Sequence, residues 1–168
     1  MLGRGRGRLV RRRPLVGGLL DTSRVGDRTF TVTATDLRGN VVVRTIHYKV
    51  HYAFEGFFAP IDNQPAVNVG VVGRAYPVKW KLKDANGVVV GVLTAVTSIS
   101  RVRLASCANG VQDSIEETVS VSTSQLKFDA ASGQFHYDWK TEKADAGCRR
   151  LVIELNDGTR RSADFLLR

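Results

Sequence analysis

Tyr76-Pro-Val-Lys-Trp-Lys-Leu-Lys83 decides the fold. Val78, Trp80 and Leu82 take every second position, and Lys79, Lys81 and Lys83 stand between them. Side chains of a strand point alternately to its two faces, so this pattern buries one face and wets the other. A helix at 3.6 residues per turn would wind the lysines into the apolar stripe. Working outward, Asp84-Ala-Asn-Gly87 is turn chemistry leading into an apolar run, Val88–Leu93, read as the next strand. Weaker strands are expected at Arg101–Leu104 and Glu117–Ser122. Leu126 and Phe128 run into a turn at Ala130-Ala-Ser-Gly133, after which Phe135, Tyr137 and Trp139 alternate with His136 and Asp138. Arg150–Leu155, a turn at Asn156-Asp-Gly158, and Arg160–Leu167 make a closing hairpin.

Upstream, Phe30, Val32 and Ala34 alternate with threonines over Thr29–Asp36. Leu37-Arg-Gly-Asn40 is a turn, and Val42, Ile46, Tyr48 and Val50 share one face of the strand that follows. This is a second hairpin. Between it and the lysine-lined strand, Ala53–Pro65 is aromatic and then Pro- and Asn-rich, and reads as an irregular loop anchored by Phe54, Phe57 and Phe58. Short strands separated by turns, with no amphipathic helix, predict an all-β, immunoglobulin-like β-sandwich carrying an extra N-terminal β-hairpin.

Charge is uneven along the chain. The net charge is +9, but six arginines (Arg4, Arg6, Arg8, Arg11, Arg12 and Arg13) precede the first acid, Asp21, and without them 19 basic residues face 16 acidic ones. The stretch through Leu20 is rich in Gly and Arg. It lacks the interleaved aromatics of a nucleic-acid arm, and Leu15–Leu20 is too short and glycine-rich for a signal peptide core. Residues 1–26 are expected to be a disordered basic tail. Met1 is the only methionine, which fits a start assigned inside a longer reading frame. The longest near-apolar stretch, Val88–Val96, is far below the roughly 20 residues a membrane helix requires.

Cys107 and Cys148 are too few and too far apart for a four-cysteine zinc site or C-x-x-C redox chemistry. Each lies beside an expected strand. A disulfide, and with it an oxidising compartment, is the expectation, two buried thiols being the alternative.

The stretch Tyr52-x-Phe54-x-Gly56-Phe57-Phe58-x-Pro60-Ile-Asp62-Asn63-x-Pro65-x-Val67-Asn68, followed by Gly73-x-x-x-Pro77-Val-Lys79-Trp80-x-Leu82, resembles the PxKF domain of bacterial extracytoplasmic proteins. Phe135-x-Tyr-x-Trp139-Lys140-Thr141, Ala146-Gly-Cys-Arg149 and Leu155-x-Asp-Gly158 extend the likeness over about residues 51–168. In that family the name-giving segment ends in Phe where this chain has Trp80. Asp145 stands where a bulky apolar residue is expected. Both cysteines fall where the family carries its pair. Thr29–Val50 separately resembles the closing hairpin of bacterial Ig-like repeats. The two resemblances imply residues 27–50 as part of such a repeat and residues 51–168 as a PxKF-like domain. They imply a non-catalytic structural or spacer module near the C-terminal end of a larger secreted or cell-surface protein. The alternative is a carbohydrate- or protein-binding adhesion module. Expected partners are neighbouring domains of a parent chain and a cell-wall or extracellular ligand.

Little else carries chemistry. On one strand His47 and His51 would be about 13 Å apart, too far to share a metal ion. Adjacent Glu116 and Glu117 would project to opposite faces of a strand. No Gly-x-Ser-x-Gly or phosphate-binding glycine loop occurs. Asp62 and Asn63 suit Asx-type turn bonding better than calcium, which takes six to eight oxygens. The aromatics Phe54, Phe57, Phe58, Trp80, Tyr137 and Trp139 would make a sugar platform only if exposed, and alternation sends Trp80, Tyr137 and Trp139 inward. No cofactor, no metal and no enzymatic activity are expected.

Overall fold

A computed structural model describes residues 20–107 and 109–168. The arginine-rich segment therefore lies outside the described residues. The lysine-lined strand is β5 (Ala75–Lys83), and Val78, Trp80 and Leu82 are all fully buried. It pairs with β3 (Ala53–Phe58) on one side and β9 (Gln134–Lys140) on the other, and β8 (Gln125–Asp129) completes a four-stranded antiparallel sheet in the order β3-β5-β9-β8. Pro77 is tolerated in this central strand because β3 pairs with it only as far as Lys79.

The second sheet has the order β6-β10-β11-β4-β7, built from β4 (Val67–Gly70), β6 (Val96–Arg103), β7 (Gln112–Ser114), β10 (Gly147–Leu155) and β11 (Arg160–Leu167). Leu151, Ile153, Ala163, Phe165 and Leu167 alternate inward from it and meet Trp80, Phe135 and Trp139 of the first sheet. Trp139 meets Phe165 edge-on across the gap, centroids 5.0 Å apart, and Trp80 stacks on Phe135 at 5.5 Å. The result is an all-β, immunoglobulin-like sandwich, in which the first-strand region is shared: β3 joins one sheet and β4 the other.

Several sequence expectations need correcting. Val88–Leu93 is not a strand: only Val89 makes an isolated bridge, to Lys83, and Leu93–Ala95 is a 3-10 turn. Val88, Val92 and Leu93 remain exposed, and the strand begins at Val96 instead, extending what was expected at Arg101–Leu104. Glu117–Ser122 contributes one bridge, Ala75↔Val119, so Glu116 and Glu117 do not sit on a strand. Ala53–Phe58, expected to be loop, is a bulged strand. β4 and β7 were not foreseen. Both pair in parallel, β4 with β11 and β7 with β4.

The extra hairpin is β1 (Gly26–Thr35) and β2 (Val41–Val50), in register from Gly26↔Val50 to Thr35↔Val41. Asp36 closes its turn by accepting from the backbone N–H groups of Arg38 and Asn40. Phe30↔Ile46 and Ala34↔Val42 share a face as the alternation requires, but Val32, Val42 and Ile46 are exposed. Asp21, ahead of β1, is held to this ribbon by the Tyr48 hydroxyl, which donates to its carbonyl at 2.7 Å.

Cys107 and Cys148 form a disulfide, Cα atoms 5.0 Å apart. It lies just past the end of the β6–β10 pairing, where Leu104 N–H donates to the Cys148 carbonyl. Asp145, beside it, is buried but satisfied. Its Oδ2 accepts from the Glu142 N–H and pairs with Arg101 at 2.9 Å, so a carboxylate replaces apolar packing at no loss of bonding.

Candidate functional site

The Pro- and Asn-rich motif shapes backbone. Gly56 takes φ +56° at the bulge between Phe54 and Phe57, a left-handed conformation that favours glycine. The Asn63 side chain then stands in for a missing strand partner. Its Oδ1 accepts from Phe57 N–H (2.7 Å) and its Nδ2 donates to Phe57 O (2.8 Å). Asn68, the last residue of the same motif, does the same for Asp62 at 2.8 and 3.1 Å, and also reaches the Asp164 carbonyl. The peptides Ala59–Pro60 and Gln64–Pro65 are cis. The Asp62 carboxyl faces Asp113, whose hydrogen bond, followed by burial and by charge repulsion, pushes it above the ordinary carboxylate range. Among the described residues no group of three or more His, Cys, Asp and Glu side chains is placed to hold a metal ion.

The other motif residues are similarly occupied. Trp80 and Trp139 are fully buried, Phe57 nearly so, and Phe54, Phe58 and Tyr137 half-buried, so these aromatics form no exposed platform. Lys79 pairs with Glu117 at 3.2 Å, and the Lys140 ammonium donates to the Gly73 carbonyl at 3.0 Å. Tyr76, between them, uses its hydroxyl to donate to Val71 O and accept from Val71 N–H. A Cβ at Gly70 would fall 2.7 Å from that hydroxyl oxygen, which is why this close approach takes a glycine.

Two features emerge that sequence reasoning missed. The first is what Asp157 bonds: the residue stands in the quoted Leu155-x-Asp-Gly158 and was read as turn chemistry, and it is fully buried in the β10–β11 turn. It accepts from the N–H and hydroxyl of Thr159 (2.8 and 2.7 Å) and from Tyr52 N–H (2.8 Å). His51, just past the end of β2, lies 3.5 Å from its Oδ2. His51 is therefore not a strand residue sharing a face with His47. Burial alone would raise the Asp157 carboxyl, but the Thr159 and Tyr52 hydrogen bonds and His51 together hold it below its ordinary value. This carboxylate joins the end of the hairpin to the sandwich. Asp157→Ala is expected to cost about 2–3 kcal/mol at neutral pH. Because the folded carboxyl titrates low, its contribution is complete above about pH 4 and is lost as pH falls through the folded value. Urea melts of both proteins should therefore differ most at pH 7, and the difference should shrink as the pH is taken into the acid range.

The second is a groove of about 280 Å³ between β3 and β11. Phe54 and Phe57 meet edge-on at 5.2 Å, and the Arg161 guanidinium lies over the Phe54 ring at 5.3 Å. Gln64 closes one side, donating to Asp164 at 3.1 Å, while Arg160 at the rim pairs with Glu154. The signal for this groove was present: Arg161 breaks the inward alternation of Ala163, Phe165 and Leu167.

No protein-family model matches this chain, and no curated protein does. Among solved structures, an endo-fucoidan hydrolase of glycoside hydrolase family 107 is similar over 86% of this chain, with 16% identity and a TM-score of 0.27. This chain spans 22% of that enzyme's length, and so loose a superposition carries no argument about fold or activity.

Proposed function

We propose that the chain is a non-catalytic extracellular module, a PxKF-like sandwich that spaces or displays neighbouring domains of a larger secreted or cell-surface protein. The observation that carries this reading is the use made of the motif: its aromatics fill the core or line a shallow groove, and its asparagines bond backbone. A framework stapled by a disulfide suits an oxidising compartment. The β1–β2 ribbon fits the closing hairpin of a preceding repeat. Two-stranded ribbons are marginal alone, and this one leaves Val32, Val42 and Ile46 exposed, as expected of a strand pair that belongs to an upstream unit.

Removal of residues 1–49, which keeps the buried Val50, tests the modular reading. The melting temperature of the remainder should stay within a few degrees of the parent, and model esters and glycosides should not be turned over by either protein. A collapse of the melting transition would make the ribbon part of one integrated domain, and turnover would replace the spacer by an enzyme.

A further inference from the structure

Arg161 occupies a position where a sandwich puts apolar residues. Its register partner on β10 is Ile153, fully buried, and the next residues on its own face, Ala163 and Phe165, are fully buried too. Its Nε is buried without a hydrogen-bond partner, and no carboxylate pairs with the guanidinium among the described residues. A buried donor left unbonded costs stability, and a cation on a core face costs more unless something compensates it. Stacking on Phe54 compensates only in part. Arg161 lines the groove together with Phe57 and Gln64.

We propose that this groove binds a carboxylate-bearing sugar, a uronic-acid unit of an acidic polysaccharide, with Arg161 receiving the carboxylate. A planar guanidinium matches a carboxylate in paired hydrogen bonds. Gln64 uses its amide nitrogen on Asp164 and Ser162, which leaves its oxygen to accept from a sugar hydroxyl. An extended peptide is disfavoured at this place, because the bulge at Phe54–Phe57 interrupts the β3 ladder on which a peptide strand would add. The groove's volume of about 280 Å³ suits one sugar ring. Binding here goes beyond spacing, and needs the extracellular reading only for where such a polymer would be met.

The test uses the full chain and trigalacturonic acid, a ligand short enough that polyanion attraction to the arginine-rich segment does not dominate. Titration followed by NMR should shift the Arg161 Nε–H and the Phe54 ring signals saturably. Arg161→Ala should weaken binding by at least about tenfold, and the methyl-esterified trimer should bind the parent no better than it binds this variant. Arg161→Lys, which keeps the charge and the fold but loses the fork, should also bind more weakly than the parent, and it serves if the alanine variant melts early. Unchanged affinity in both variants would overturn the proposal, as would equal binding of the methyl ester. Triglutamate binding as tightly as trigalacturonate would overturn the sugar assignment in favour of an acidic peptide.

Discussion

Cys148→Ser, or reduction of the folded protein, is expected to lower stability by about 4 kcal/mol. The bridge closes a loop of 41 residues, and constraining a loop of that length in the unfolded chain is worth about that much on the chain-entropy model. The loss is severe for a domain whose total stability is of order 5–15 kcal/mol. The loop spans β7, β8 and β9, and the bridge joins the segment after edge strand β6 to β10, its neighbour in the same sheet. Chemical denaturation with and without reductant measures the difference. A change below about 1 kcal/mol would mean that the unfolded chain is already compact across this loop.

Trp139→Ala should be equally damaging, at about 3–5 kcal/mol. Trp139 is fully buried and makes the edge-on contact with Phe165 that joins the sheets, so its removal opens a cavity where neither sheet can close in. Trp80→Phe is the informative companion. Trp80 is as deeply buried and, like that of Trp139, its indole N–H has no hydrogen-bond partner. Replacing it by Phe removes that unsatisfied donor while keeping a ring against Phe135, and the two effects oppose one another. The expected cost is below about 1.5 kcal/mol, the range of well-tolerated core exchanges. Equal costs for the two substitutions would mean that the indole nitrogen is bonded in solution.

These cases also mark what was legible in the sequence. Wherever one face of a strand is buried and the other wet, alternation named the inward residues correctly: Val78, Trp80 and Leu82 on β5, Phe135 and Trp139 on β9. It failed where a strand exists only because a neighbour supplies its partner. β4 is four residues long and β7 is three polar ones, and each is held by parallel pairing to chain far away in sequence. Val88–Leu93 failed in the opposite sense, since an apolar run says nothing about whether a sheet edge is free to receive it. The loop motif announced Asn63 as a turn former, and the structure gives it backbone to bond. Asn68 and Asp157 stand in the quoted motifs, but what they bond was hidden, because an Asn or Asp looks the same whether it caps solvent or a buried N–H. Arg161 was visible as a break in pattern, but only the register of β11 gave that break a place.

The parallel pairing of β4 with β11 has a bearing on synthesis. β11 is an interior strand, bonded to β10 on one side and β4 on the other, and of the strands described it is the last to be synthesised. Until residue 167 has emerged, β4 has no neighbour on that flank and the inward faces of both sheets lack Phe165 and Leu167. Closure on such distant contacts is slow compared with local folding. The two sheets of the sandwich therefore close only once β11 has been made, however complete the earlier strands are.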